Sequence, residues 1–132
     1  MKPEHLEEIR LIYDALARHD VEALRSLTAV HPDFAWQSAP DEPETGLRRG
    51  PETAIAFSGE LLETFDRIRI EIDEEIEVGE EAAIFVVSMQ MRGAASGADA
   101  GRREAHLWTI RDDRLGSLRE FPTVDDALAA AK

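Results

Sequence analysis

Residues 103–121 read REAHLWTIRDDRLGSLREF, and this stretch decides the fold. Alternating apolar and polar side chains flank a central Asp112–Asp113 pair, which predicts two strands, REAHLWTIR and RLGSLREF, joined by a tight turn. The hairpin also carries two titratable side chains, His106 and Glu120, among apolar neighbours. Whether they perform chemistry depends on the register of the hairpin and on what surrounds it.

Two longer strands come directly before the hairpin. Residues 66–78, DRIRIEIDEEIEV, alternate with a period of two, which predicts a strand with its isoleucines inward and its charges outward. Residues 82–91, AAIFVVSMQM, are almost continuously apolar, as is typical of a central strand covered on both faces. The segment 92–102, RGAASGADAGR, is rich in small residues and is predicted to be a flexible connection.

The first part of the chain is mainly helical. Apolar residues between 6 and 17 recur at steps of three and four, which predicts an amphipathic helix. Asp20 is suited to cap a short second helix, which buries Val21, Leu24 and Leu27 and ends before Pro32. The sequence DFAWQS, residues 33–38, alternates and predicts a short strand.

A loop, a third helix and a terminal helix complete the chain. Residues 39–51, APDEPETGLRRGP, are rich in proline, glycine and acids and are predicted to form a surface loop. Pro51 opens a helix whose apolar face extends to Phe65. Thr123 and Asp126 form a capping box before DALAAA, a short C-terminal helix. Helices followed by a run of strands indicate an α+β fold, with helices packed on a strongly curved, mostly antiparallel sheet that encloses a cone-shaped cavity.

Composition limits the class of partner. The 132 residues, 43% hydrophobic and 33% charged, suit one globular domain over residues 1–132. A formal net charge of -13 repels nucleic acid and anionic membranes, so we expect neither as a partner. Without cysteine there is no disulfide and no thiolate chemistry.

The sequence also bears on location. Acids scattered through the first 20 residues do not match a secretory signal, and no apolar run is long enough to span a membrane. A cytoplasmic location is therefore expected.

Several motifs in this order resemble the SnoaL-like members of the NTF2-like superfamily, which includes ketosteroid isomerases and polyketide cyclases. They are YDALARHDVEAL at 13–24, HPDFAW at 31–36, GLRRGPETAIAF at 46–57, AHLWTIRDDRLGSLREF at 105–121 and VDDALAAA at 124–131. The resemblance spans essentially the whole chain. It implies a cone-like α+β barrel with a small-molecule pocket between helices and sheet, no cofactor, and a homodimer formed through the sheet. It implies no single reaction, because the superfamily hosts isomerases, cyclases, dehydratases, epoxide hydrolases and binding modules.

The resemblance points to two site residues. In the family's polyketide cyclases a carboxylate on the last strand acts as acid or base beside a histidine on the preceding strand, and these positions match Glu120 and His106. This chain has Glu where those cyclases have Asp, which displaces the carboxylate. At the position of the ketosteroid isomerase base it has Ser38, and Ile12 stands where that enzyme has its oxyanion-hole tyrosine. We therefore expect no steroid isomerase activity.

The turn decides whether Glu120 faces His106. A three-residue loop of residues 111–113 pairs His106 with Leu118, so that His106, Trp108, Leu118 and Glu120 share one face and Glu120 is a diagonal neighbour of His106. A two-residue loop puts Glu120 on the opposite face. We favour the longer loop because the family carries a left-handed glycine where Asp113 stands, and aspartate tolerates that conformation.

Aromatic residues are candidates for the same pocket. Trp36 and Trp108 can stack on a flat ligand or serve as core, and Tyr13 can offer its hydroxyl to an oxyanion or anchor a helix. No metal site is predicted: the acidic run between 71 and 81 lacks the calcium-loop spacing, and the other three histidines show no ligand spacing with one another.

Two functions are compatible with these patterns. The first is binding of a small apolar organic molecule with cofactor-free acid/base turnover, as an isomerase or cyclase acting on an apolar carbonyl compound. Glu120 and His106 are its catalytic candidates, and Trp36, Trp108, Tyr13 and Leu118 are its ligand-binding candidates. The alternative is a non-catalytic ligand-binding or dimeric interaction module in which His106 and Glu120 are a satisfied buried pair.

Overall fold

The computed structural model describes residues 1–26, 30–40 and 46–132. Within those ranges the chain forms four helices and six strands. The helices are α1 (Pro3–Ala17), α2 (Val21–Arg25), α3 (Pro51–Thr64) and α4 (Val124–Ala131). The strands are β1 (Val30–Gln37), β2 (Leu47–Arg49), β3 (Phe65–Val78), β4 (Ala82–Gly93), β5 (Asp99–Arg111) and β6 (Arg114–Phe121). None of the helices in the described part of the chain combines the length and the apolar character needed to cross a membrane.

The strands form one open sheet in the order β2-β1-β6-β5-β4-β3. Among these six described strands, β1 and β6 pair in parallel and the other neighbours are antiparallel. Register shifts interrupt the β3–β4 ladder at two places, and such bulges bend a strand. This architecture confirms the predicted α+β class and the helix-packed, curved, mostly antiparallel sheet.

Strand β4 is covered on both faces, as its apolar run predicts. Alternate residues Ala83, Phe85 and Val87 pack with side chains of α1 and α3. The intervening Ile84 and Val86 pack on the other face, against Ala127 of α4. The terminal helix therefore lies on the opposite side of the sheet from α1 and α3, which leaves the face of α1 and α3 to hold the cavity.

The segment between α2 and α3 differs most from the sequence prediction. Strand β2 was not predicted, because three residues between Gly46 and Gly50 are too few to show a period. Part of the predicted surface loop, residues 41–45, lies outside the described residues. So does Leu27, which the sequence predicts to be a buried residue of the second helix. Helix α2 ends at Arg25, and Pro32 lies in β1, within the part of the β1–β6 ladder where the register shifts.

The predicted three-residue loop of the last hairpin is wrong. Arg111 pairs with Arg114, so the turn has two residues, Asp112 and Asp113, with φ of 51° and 62°. Two consecutive left-handed residues make a type I′ turn, the form that matches the twist of a hairpin. The left-handed conformation expected at Asp113 is present, but Asp112 shares it.

A two-residue turn alone would place Glu120 on the opposite face of the sheet from His106. A bulge at Gly116 returns Glu120 to the face of His106. Ile110 pairs with Leu115 while Thr109 pairs with Ser117, which leaves Gly116 as the extra residue. A Cβ on Gly116 would lie 2.7 Å from the Arg111 Cβ, so the bulge requires glycine. Beyond the bulge, His106 pairs directly with Glu120, not diagonally, and the predicted His106–Leu118 pair is wrong. The predicted common face of these residues is nevertheless observed.

Candidate functional site

A cavity of about 150 Å³ lies between α1, α3 and the sheet. All six candidates from the sequence line it: Tyr13, Trp36, His106, Trp108, Leu118 and Glu120. Most of the remaining wall is aliphatic or aromatic, and it includes Phe34, Ala54, Leu61 and Met89. The cavity is thus an apolar space with a few polar groups on the sheet side, the composition usual for small-molecule sites.

The sheet register brings the candidates together. Trp36 of β1, Leu118 of β6 and Trp108 of β5 are successive partners across three neighbouring strands. One step along the hairpin, Glu120 is paired with His106. Residues two apart on a strand share a face. The row of Trp36, Leu118 and Trp108 therefore projects to the same side of the sheet as Glu120 and His106, and the tryptophans lie beside these two residues.

Hydrogen bonds link the buried polar groups into a chain. The Trp108 indole donates to the Tyr13 hydroxyl oxygen at 3.0 Å, and that oxygen lies 2.6 Å from Nδ1 of His106. The other imidazole nitrogen, Nε2, lies 3.0 Å from Oε1 of Glu104 and 3.8 Å from Oε2 of Glu120. The Tyr13 hydroxyl, predicted as a ligand contact, is therefore also a partner of His106.

Trp36 connects the aromatic wall to Glu120. Its indole nitrogen donates to Oε2 of Glu120 at 3.1 Å. Its ring stacks on Phe57 of α3 at 5.0 Å between centroids, and the guanidinium of Arg48 lies over Phe57 at 3.4 Å. Arg48 also donates to the Ser38 hydroxyl at 2.6 Å. These contacts fix the indole that holds one carboxylate oxygen of Glu120.

Glu104 and Arg102 are the site residues that sequence reasoning missed. Only 1% of the Glu104 side chain is exposed, although it is a charged residue in the middle of a strand. Its Oε2 accepts from Nε of Arg102 at 2.6 Å, while its Oε1 faces His106. The available signal was spacing: Arg102, Glu104 and His106 are two residues apart, so a strand places all three on one face.

Glu104, His106 and Glu120 also meet the distance requirement for a metal ion, because one ligand atom from each lies within 4.8 Å of the others. Two carboxylates and an imidazole can hold a divalent cation of the first transition row. In this structure Arg102 and Trp36 donate to the carboxylates, and an imidazole nitrogen contacts Glu104. The same three residues therefore also form a buried hydrogen-bonded cluster with Arg102 and Trp36.

Tyr13 should resist ionisation until the protein unfolds. Burial raises the pKa of its hydroxyl well above the ordinary 10.0, the carboxylates of Glu120 and Glu104 add to the rise, and the Trp108 bond opposes it. A raised pKa means that the stabilisation is complete below pH 10 and is lost as pH increases beyond it, because only the unfolded chain ionises there. Tyr13 is the sole tyrosine, so tyrosinate absorbance reports it alone.

We expect tyrosinate absorbance to appear together with the loss of near-ultraviolet circular dichroism in an alkaline titration. The chain unfolded in denaturant is the control, and it should titrate near pH 10. Tyrosinate forming near pH 10 in a protein that retains its native dichroism would contradict the buried, neutral Tyr13.

Comparisons with known proteins agree with this fold. A family model described as SnoaL-like domain matches residues 9–117. No curated protein matches the chain by sequence. Among solved structures, an NTF2-like protein of unknown function from Burkholderia pseudomallei is 22% identical, with 97% of each chain covered and a TM-score of 0.75.

Two further neighbours carry names that indicate chemistry. A putative SnoaL-like polyketide cyclase from Jannaschia sp. is 19% identical, covers 99% of this chain and 94% of its own, and has a TM-score of 0.73. A Δ5-3-ketosteroid isomerase from Mycobacterium sp. is 16% identical, with 92% and 94% covered and a TM-score of 0.70. At these identities the structures show a shared fold alone. The family model covers most of the chain, and the protein therefore belongs to the SnoaL-like domain family.

Proposed function

We propose that this protein binds a small, largely apolar carbonyl compound in the cavity and moves a proton on it by acid/base chemistry at Glu120, aided by His106. One observation carries the proposal: Glu120, with 8% of its surface exposed, lines an apolar cavity directly opposite a buried histidine. A buried carboxylate beside an imidazole is a pair that can exchange a proton. Isomerase and cyclase names among the structural neighbours support this class of reaction.

The size of the cavity limits the substrate. A cavity of about 150 Å³ holds a molecule of about the size of benzene. Drug-sized ligands occupy pockets of roughly 300 to 1,000 Å³. We therefore propose a single-ring or similarly small compound, not a four-ring steroid. With Ser38 at the position of the isomerase base, this argues against steroid isomerisation.

The proposed reaction begins with proton transfer. The Glu120 carboxylate takes a proton from the carbon next to the substrate carbonyl, and the C–H electron pair moves to give an enolate. Return of the proton to another carbon completes an isomerisation. In a cyclisation the enolate carbon instead attacks a second carbonyl, which forms the ring C–C bond, and the resulting alkoxide takes the proton back from Glu120. In both cases Glu120 is regenerated without a cofactor, and the Trp36 indole keeps one of its oxygens in place.

Ligand binding is open to a direct test, because both tryptophans of the chain line the cavity. Titration with cyclohexanone should change the intrinsic fluorescence and saturate, whereas a steroid ketone should give no saturable change. Ala54→Phe adds a ring at the cavity wall and should weaken the cyclohexanone response at least tenfold. The matched Ala94→Phe, outside the cavity, should leave it unchanged. Equal responses in the two variants would contradict binding in this cavity.

The alternative is a non-catalytic ligand-binding protein. It is favoured by one observation: Trp108, Tyr13, His106 and Glu104 satisfy one another by hydrogen bonds, as purely structural groups do. Ligand binding without proton exchange would support it. Dimerisation through the sheet remains a prediction from the family resemblance.

A further inference from the structure

We propose that Glu104, held by Arg102, is a positioning residue that keeps His106 in the tautomer with its proton on Nε2. The use of this tautomer in a reaction rests on the proposed function, but the tautomer itself is a property of the unliganded protein. Nothing in the family resemblance assigns a role to Glu104. The inference comes from the sequence of donors and acceptors along the buried chain of side chains.

Both ends of that chain are fixed by groups that can only donate. At one end the Trp108 indole is a donor, so the Tyr13 oxygen accepts from it and the Tyr13 hydroxyl hydrogen is free to point elsewhere. Nδ1 of His106 lies within reach of that hydroxyl, at 2.6 Å. The chain is satisfied in the neutral imidazole when Tyr13 donates to an unprotonated Nδ1.

At the other end Arg102 fixes Glu104. Its guanidinium donates to Oε2 at 2.6 Å, which favours the ionised carboxylate, and an ionised carboxylate is an acceptor only. Oε1 of Glu104 lies 3.0 Å from Nε2 of His106, so Nε2 must carry the proton. The Arg102 end thus fixes the tautomer, and the Trp108 end is satisfied by it because the Tyr13 hydroxyl can donate to an unprotonated Nδ1.

This tautomer directs the N–H group of His106 toward the side that Glu120 occupies. Glu104 takes the hydrogen bond of the imidazole at 3.0 Å, while Glu120 lies at 3.8 Å from the same nitrogen. Glu120 therefore has a proton donor beside it without being bound to it in the resting state. A histidine with an unprotonated Nε2 would face both carboxylates with a lone pair, which is repulsive and cannot donate.

The substitution Glu104→Gln tests the assignment, because Arg102 decides which way the amide turns. The guanidinium requires the amide oxygen, which leaves the NH₂ group facing Nε2. His106 must then accept at Nε2 and carry its proton on Nδ1, where it donates to Tyr13. In a serine protease triad, the corresponding change from acid to amide inverts the histidine tautomer and lowers turnover by about 10⁴-fold.

Nitrogen-15 NMR of the imidazole rings reads the tautomer directly, and a His106→Gln spectrum assigns the signal among the four histidines. At a pH where the imidazole is neutral, the unsubstituted protein should show a protonated Nε2 and an unprotonated Nδ1. Glu104→Gln should exchange the two signals. Glu120→Gln, the same chemical change in the same cluster, should not, because Glu120 is the more distant carboxylate.

A second variant separates the role of Arg102 from loss of structure. In Arg102→Met/Glu104→Gln the amide is released from the guanidinium and its oxygen can turn to Nε2, so the original pattern should return. A protonated Nδ1 in the unsubstituted protein, or an unchanged pattern in folded Glu104→Gln, would overturn the proposal. Because no substrate is needed, these results do not depend on whether Glu120 is catalytic.

Discussion

Glu120→Gln is expected to slow deuterium uptake by cyclohexanone from heavy water by about 10²- to 10⁴-fold, the usual contribution of a general base. Gln has nearly the shape of Glu and can keep the hydrogen bond from Trp36, but its amide does not accept a proton. Ligand binding, measured by tryptophan fluorescence, should stay within a few-fold. A loss of exchange without a loss of affinity identifies an interaction used in the reaction.

Glu71→Gln is the matched control for this experiment. It makes the same chemical change on an exposed part of β3, so exchange should continue at the original rate. If Glu120→Gln also exchanges deuterium at that rate, Glu120 is not the base. If the unsubstituted protein gives no exchange above the buffer rate while binding cyclohexanone, the non-catalytic alternative is correct for this ligand class.

Arg102→Met is expected to lower the free energy of unfolding by about 3 kcal/mol at neutral pH. Glu104 is 1% exposed, so the substitution leaves a buried carboxylate without the cation that donates to it at 2.6 Å. Removing one partner of a buried pair is costly because the remaining charge keeps its desolvation penalty. Denaturant-induced unfolding measures the change.

The effects of the Arg102 and Glu104 substitutions on the free energy of unfolding should not add. In Arg102→Met/Glu104→Gln the buried charge is gone, so the double variant should recover more than half of the stability lost in Arg102→Met. Arg92→Met is the control, since its partner Asp66 is an exposed carboxylate, and this variant should lose less than about 1 kcal/mol. A similar loss for both arginine variants would show that Arg102 acts as a surface residue.

The last hairpin shows how far the sequence predicts the fold. Alternation is enough to give both strands, whereas the common face of His106 and Glu120 depends on the turn between them. Alternation does not give the register, because a two-residue turn with a bulge and a three-residue loop both preserve that face. The indicators were the Asp112–Asp113 pair, which tolerates two left-handed conformations, and Gly116, an isolated glycine in a strand.

Part of the candidate site could also be predicted from the sequence. Family resemblance and alternation selected six residues, and the structure places all of them on one cavity. Glu104 was not selected, because a charged residue in a strand is ordinarily assigned to the surface. Its side chain is instead buried and held by contacts with Arg102 and His106. Strand β2 was also missed, because its pairing with β1 has no local signal in the sequence.

The central claim is that a small carbonyl compound sits in this cavity against Glu120. A crystal structure of the protein with cyclohexanone tests it most directly. We predict the ring between Trp36 and Trp108, with the carbon next to the carbonyl within about 3.5 Å of a Glu120 oxygen, the distance needed for proton transfer. A cavity filled by its own side chains, a ligand bound elsewhere, or a Glu120 carboxylate turned away from the ring would contradict the account.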